Sequence, residues 1–162
     1  MKTIRTRVLL TVISLTAIGG CTDVDVDVAS TRALQPDVPP LQAELHLQYS
    51  ELALREMAEG NPASAKLYND KALQAAAGHR VLPEKPQGPE MQVHYDRLVA
   101  FMGSASRTSA AVLARAQVMY ECWHEERREN IDPGDIAACE QAFETALQSH
   151  ETGMPIKKQH VN

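Results

Sequence analysis

The chain has 162 residues and a formal net charge of −5, from 16 Lys and Arg against 21 Asp and Glu. An acidic chain is repelled by phosphate backbones, so the charge argues against nucleic acid as a partner. Aromatic residues make up only 4% of the sequence while alanine is abundant, which favours closely packed helices over a strand-rich sandwich.

The first residues have the order of a bacterial lipoprotein signal. Three positive charges between positions 2 and 7 precede the apolar run 8–18, and two glycines stand directly before Cys21. In such signals the cysteine is lipidated and the chain is cut just before it. A transmembrane anchor is the alternative, but the apolar run is shorter than the roughly 20 residues that cross a bilayer. We therefore predict a signal peptide over residues 1–20 and acyl chains on Cys21, which would tether the chain to a membrane.

Residues 21–40 are predicted to form an acidic, proline-rich tether. Asp23, Asp25 and Asp27 alternate with valines, and prolines stiffen the end of the segment. An edge strand or a weak calcium site is the alternative, but the glycine turn and distant glutamate of a calcium loop do not follow at the right spacing. Asp is absent directly after Cys21, and in well-studied lipoproteins that absence favours the outer membrane.

The first two predicted helices form a hairpin. Its first helix has an apolar face and ends near Gly60, Asn61 and Pro62 begin the second helix, and Gly78 ends it. Small residues at the crossing stand at offsets similar to those of a tetratricopeptide repeat. Because one unit cannot bury its own apolar face, we expect this hairpin to pack on the later helices rather than to form a peptide-binding array. The apolar faces consist of Leu41, Leu45, Tyr49 and Leu52 on the first helix and of Ala65, Tyr68, Ala72 and Ala76 on the second. The residues at repeat-like offsets are Tyr49, Leu52, Ala53, Gly60, Ala65 and Ala72.

An irregular linker is predicted over residues 79–88, since it contains two prolines. A third helix follows, ended by Gly103 and Ser104. Its apolar face consists of Met91, Tyr95, Leu98 and Met102.

A second hairpin is predicted near the C-terminus. One helix runs from about Thr108 to Glu129, and Asp132 caps the next, with Pro133 at its first position. The inward residues are Val112, Ala116, Met119 and Trp123 on one helix and Ile136, Cys139, Phe143 and Leu147 on the other.

Two cysteines of this hairpin, Cys122 and Cys139, stand equally far from its turn, so an antiparallel arrangement places them at the same height. The envelope is oxidising and Cys21 is assigned to lipid, so we predict a disulfide between them. A redox pair would more typically be Cys-x-x-Cys, and a metal site with His124 lacks a second histidine at helical spacing. We therefore predict neither a metal nor a cofactor.

Catalytic motifs are not evident. The charged run Glu125–Glu129 could be an acid/base set, but consecutive charges on a helix usually form a solvated face. The six histidines are scattered, and neither a nucleophile elbow nor a phosphate-binding glycine loop occurs. We predict that the protein is not an enzyme. The histidines are His46, His79, His94, His124, His150 and His160.

Several short runs in the chain resemble a known family. Cys122-Trp123, followed by Asp135-Ile136-Ala137-Ala138-Cys139, is similar to the N-terminal helical region of OmpA-family lipoproteins of alphaproteobacteria. Weaker similarity extends the resemblance to about residues 41–147, through Lys71-Ala72-Leu73, Val81-Leu82-Pro83, Ala114-Arg115-Ala116-Gln117-Val118, Glu125-Glu126, Glu129-Asn130 and Phe143. It implies an outer-membrane lipoprotein with a periplasmic helical module. That family binds peptidoglycan through a later α/β domain, which the tail 152–162 does not contain, so peptidoglycan binding is not expected.

We therefore predict an all-α protein of about five helices, in which a tetratricopeptide-like hairpin packs on a disulfide-linked C-terminal hairpin. The helical domain covers residues 41–151 and a flexible tail covers residues 152–162. The expected function is a non-enzymatic scaffold or assembly factor that faces the periplasm and contacts an envelope protein. A pilotin-like helper that carries a secretion or pilus subunit to the outer membrane is the alternative, and a cell-wall enzyme accessory is a third.

Overall fold

A computed structural model describes residues 27–103 and 108–152. Within these ranges the chain forms six α-helices and no strand, which confirms the all-α prediction. The helices are α1 Val28–Arg32, α2 Pro40–Ala58, α3 Pro62–Ala76, α4 Pro89–Gly103, α5 Ala110–Glu129 and α6 Pro133–Thr152.

The α2–α3 hairpin forms at the turn that the sequence predicts. Gly60 adopts a positive φ of 81° between the two helices, a conformation that glycine reaches without steric cost. The Asn61 side chain then accepts a hydrogen bond from the Ser64 N–H (3.3 Å), and Pro62 is the first residue of α3. These local signals explain why the boundary could be predicted closely.

The α5–α6 hairpin is also set by local chemistry. Asn130 has a left-handed φ of 52° and its N–H donates to the Glu126 carbonyl (2.8 Å), which ends α5. Asp132 Oδ1 accepts a hydrogen bond from the Gly134 N–H (2.7 Å) at the start of α6. Helix α5 starts two residues later than the predicted Thr108, because Ser109 is its N-cap and accepts from the Val112 N–H (3.3 Å).

Helix α5 lies at the centre of the packing and contacts α2, α4 and α6. Its predicted inward residues are buried, and on α6 Cys139 and Phe143 are buried while Ile136 and Leu147 are only partly buried. The linker 79–88 has no helix, as predicted, but Val81 within it is buried and belongs to the core. The largest fully buried side chains of the core include Trp123, Tyr49, Tyr68, Tyr120 and Phe143.

The predicted extended tether is wrong over part of its length, because α1 lies within residues 21–40. Asp27 Oδ1 accepts a hydrogen bond from the Ser30 N–H (2.9 Å) and caps the helix. Hydrogen bonding from the Ser30 side chain, and then from its N–H, lowers the pKa of Asp27. Val28 and Thr31 are buried, and α1 packs against both α2 and α3. A capping aspartate followed by a valine that can be buried favours a short docked helix over an extended spacer.

The predicted signal peptide 1–20, Cys21, Asp23, Asp25, Ser104 and the segment 153–162 lie outside the described residues. Among the helices of the described residues, none is both long enough and apolar enough to cross a membrane.

Candidate functional site

The predicted disulfide between Cys122 and Cys139 is confirmed. The two Cα atoms are 5.7 Å apart, and the bond joins α5 to α6. Both cysteines are almost completely buried, at 0% and 1% exposure. Equal spacing from the turn therefore did place the two thiols at the same height on facing helices.

Arg55 of α2 packs its guanidinium against the disulfide. Its Nη1 lies 3.1 Å from Cys122 Sγ and 3.4 Å from Cys139 Sγ, while Nη2 binds the carboxylate of Glu126. Its Nε is 3.2 Å from Glu59 Oε1. Arg55 thus connects α2 to the C-terminal hairpin, a role that could not be predicted because a single arginine on a helix carries no signal of its partner.

A fully buried carboxylate, Glu121, organises the packing between α2, α3 and α5. Lys71 binds its Oε2, and its Oε1 accepts hydrogen bonds from the Tyr49 hydroxyl (2.8 Å) and the Glu84 N–H (3.1 Å). The Gln117 amide donates to the Tyr49 hydroxyl (2.9 Å) and extends the network. Burial raises the pKa of Glu121, while the Lys71 ammonium acts in the opposite direction.

The same burial raises the pKa of Tyr49 well above its ordinary value, and the neighbouring Glu121 carboxylate adds to the rise. Tyr49 therefore acts as a neutral hydrogen-bond donor to Glu121 at ordinary pH. With donors from two helices and from the linker on one carboxylate, this network fixes the position of the N-terminal hairpin on α5.

The prediction that Glu125–Glu129 forms a solvated face is wrong for its first two residues. Glu125 and Glu126 are only 4% and 6% exposed. Consecutive side chains do point in different directions, but α5 has neighbours on several sides, so both carboxylates meet another helix. Glu125 accepts from the Ser64 hydroxyl and from the Arg128 guanidinium.

These partners decide the ionisation of the two carboxylates. Burial would raise the pKa of Glu125, but the hydrogen bonds from Arg128 and Ser64 hold it below its ordinary value. For Glu126, burial raises the pKa to about 7, with Arg55 opposing the rise and Glu59 adding to it.

His124 is buried at 4% exposure beside a small depression. Its Nε2 accepts a hydrogen bond from the Gln87 N–H (3.2 Å), and its Nδ1 is 3.8 Å from Glu84 Oε2. Burial lowers the pKa of His124, so the ring acts as a neutral acceptor that positions the linker. Within the described residues, His124 and the two cysteines do not form a set of side chains whose ligand atoms lie close enough together to bind one metal ion.

The depression has a volume of about 190 Å³. Two of the residues that line it are cationic, but Arg127 pairs with Glu90 (2.6 Å) and Arg128 binds Glu125. Because both guanidiniums already have a carboxylate partner, the depression is poorly suited to an anionic ligand. The residues that line it are Gln87, Glu90, Met91, His124, Arg127 and Arg128.

One side of α2 carries partly exposed leucines. Leu47 and Leu54 are seven residues apart, about two helical turns, and so share one side of the helix. Tyr49, which contacts α5 through Glu121, is two positions from Leu47, a rotation of about 200° at 100° per residue. The two leucines therefore point away from α5, and each is 38% exposed.

Leu73 of α3 lies on the same outer side. His46 Nδ1 lies 3.2 Å from the Ala72 carbonyl oxygen across the hairpin. In a pair of antiparallel helices, the residues that directly follow two contacting residues lie on the same side of the pair. Leu47 follows His46 and Leu73 follows Ala72, so both leucines lie on the same side of the hairpin. Leu73 is 42% exposed. We call Leu47, Leu54 and Leu73 the outer leucines.

No protein-family model matches the chain, and neither a curated protein nor a solved structure shows significant similarity to it.

Proposed function

We propose that this protein is a lipid-anchored helical module of the outer membrane that faces the periplasm and acts as a scaffold or assembly factor through protein contacts. The observation that carries the proposal is the group of outer leucines. Scattered surface leucines are ordinary, but several on one side of a helical hairpin form a surface suited to another helix.

The packing of α1 supports this use of the hairpin. This short helix buries Val28 and Thr31 and contacts both α2 and α3. Its Arg32 also pairs with Glu51 of α2 (3.1 Å). The hairpin thus already accepts one short helical segment by combining apolar burial with a peripheral ion pair, and a partner helix can bind beside it in the same way.

The rigidity of the surface favours binding over chemistry. The Cys122–Cys139 disulfide and the Glu121 network hold the helices in fixed relative positions. A preorganised surface loses less conformational entropy when a partner binds. The buried carboxylates of Glu121 and Glu125 accept hydrogen bonds from neighbouring elements, which gives them a structural role.

Site-specific photocrosslinking in intact cells tests the protein contact. A photoreactive residue at Leu47, Leu54 or Leu73 should capture a discrete partner, whereas the same residue at exposed Glu140 of α6 should not. Identical products from all four positions, or none from the outer leucines, would refute the proposed contact surface.

The anchor requires a separate experiment. Cys21→Ser should release the protein from the membrane fraction and remove the acylated mass of the mature N-terminus. A variant that stays in the outer membrane would contradict the anchor while leaving the contact surface untouched.

A further inference from the structure

An excess of carboxylates lies where the α2–α3 turn approaches the end of α5. Arg55 binds Glu126 and is near Glu59, and the Asn61 amide contacts both Glu56 (3.2 Å) and Glu129. Asp132 and Asp135 also act electrostatically on Glu59. Among the described residues, Arg55 is the cation in direct contact with these carboxylates, so acidic side chains outnumber basic ones at this place.

Three of these carboxylates converge on one point. An oxygen from each of Glu56, Glu59 and Glu126 lies within 4.8 Å of an oxygen from the other two. A Ca²⁺ ion has oxygen ligands at about 2.3–2.6 Å, so two ligands on opposite sides of it are roughly 5 Å apart. The three carboxylates are therefore close enough to bind the same ion.

A second feature points to a ligand at this place. The side chain of Glu56 is only 1% exposed, and its Oε1 receives no hydrogen bond from any donor of the described residues. This oxygen is 3.9 Å from Arg55 Nη2, which binds Glu126, so it is directed into the cluster. A buried carboxylate oxygen without a donor is costly, and a bound cation would remove that cost.

We propose that Glu56, Glu59 and Glu126 form a Ca²⁺ site between the end of α2 and the end of α5. Glu59 is partly exposed, with 36% of its side chain accessible, and provides the path by which the ion enters. Arg55 competes with the ion for these carboxylates, and its guanidinium leaves Glu126 when the ion binds. Waters complete the coordination on the side of Glu59, because Ca²⁺ takes six to eight oxygen ligands.

This arrangement favours Ca²⁺ over Mg²⁺ for a physical reason. Mg²⁺ requires near-ideal octahedral geometry at about 2.0–2.1 Å and releases its water reluctantly, whereas Ca²⁺ accepts irregular carboxylate sets. Glu56 of α2, Glu59 at the C-cap of that helix and Glu126 of α5 form an irregular set, because Glu59 is partly exposed while the other two are buried. A dissociation constant of about 10⁻⁴–10⁻³ M is typical for sites of modest affinity.

Calorimetric titration of the full chain, purified in a non-ionic detergent and stripped with EDTA, tests the site. Ca²⁺ should bind with one-to-one stoichiometry and raise the melting temperature by a few degrees. Glu56→Gln and Glu126→Gln should each weaken binding by about tenfold or more, because each removes a charged ligand. Glu51→Gln is the matched control: it removes the same charge from an exposed position of α2 and should leave the affinity unchanged.

Arg55→Gln provides an independent arm. Removing the competing cation should tighten Ca²⁺ binding, whereas a loss of binding in this variant would contradict the proposed competition. The site is refuted if the wild-type chain shows neither binding heat nor a melting shift at millimolar Ca²⁺. It is also refuted if Glu51→Gln weakens binding as much as Glu56→Gln does.

Discussion

The substitution Glu56→Gln measures how much a buried, ionised carboxylate at the end of α2 lowers the free energy of unfolding. Burial raises the pKa of Glu56 from 4.5 to about 7. The Arg55 guanidinium opposes this rise, and the carboxylates of Glu59, Glu126 and Glu129 add to it. The ionised form of Glu56 is therefore less stable in the folded protein than in the unfolded chain.

The sign of the pH dependence follows from this difference. The folded state binds the Glu56 proton more tightly than the unfolded state, so stability is greatest at low pH and falls as the pH rises from 4.5 to about 7. At about 1.4 kcal/mol for each pH unit, the loss at about pH 8 is roughly 3 kcal/mol. Glutamine stays neutral, and its amide oxygen can still accept the hydrogen bond from Asn61 Nδ2, now 3.2 Å from Glu56 Oε2.

The variant should therefore be more stable than the wild type by roughly 3 kcal/mol at about pH 8, and by less than about 1 kcal/mol at about pH 5. Urea unfolding followed by far-UV circular dichroism gives both values, with EDTA present so that divalent cations contribute nothing. Glu51→Gln serves as the control, because its exposed pair with Arg32 contributes less than about 1 kcal/mol at either pH. A variant less stable than wild type at about pH 8, or an equal difference at both pH values, would show that the reasoning is wrong.

Three further substitutions test other parts of the fold. Lys71→Met leaves the buried Glu121 carboxylate without its cation and should cost about 3–5 kcal/mol in urea unfolding; a cost below about 1 kcal/mol would mean that the pair is not formed. Replacing Cys122 and Cys139 by alanine should lower the free energy of unfolding by roughly 3 kcal/mol, given their sequence separation of 17 residues. Peptide mass mapping should show that Cys122 and Cys139 react with an alkylating agent only after reduction, and alkylation of either residue in the unreduced chain would contradict the bond. Asn61→Ala removes the N-cap of α3 and should cost about 1 kcal/mol, measured as a lower melting temperature; an unchanged value would show that the cap contributes little.

The helix boundaries could be predicted because their causes lie within a few residues. Asn61 with Pro62 and Asp132 with Pro133 each combine a capping side chain with a residue that favours the first helical position. The disulfide could be predicted for a similar reason, since the height of two residues in an antiparallel hairpin depends only on their distance from the turn. Helix α1 was missed because its single capping residue, Asp27, also fits an acidic spacer.

The partners of the charged side chains could not be predicted, since they depend on packing between distant segments. Arg55 reaches Cys122 across 67 positions of sequence, and Ser64 reaches Glu125 across 61. A charged run on a helix predicts a solvated face only when one side of the helix is free. Helix α5 contacts helices on several sides, so the expectation of a solvated face is wrong for both Glu125 and Glu126.

The buried Glu121 network illustrates why this helix carries carboxylates in its interior. An apolar residue at position 121 would remove the cost of burying a charge, but it would also leave the Glu84 N–H and the Lys71 ammonium without the acceptor that they share. Replacing only one member of such a network is therefore costly, even though a complete apolar core can be more stable. Because the donors come from α2, α3 and the linker, the carboxylate is satisfied only when all three segments take their native positions on α5. The charge therefore contributes less to net stability than to the selection of one arrangement of the helices, and that fixed arrangement is what a surface for protein contacts requires.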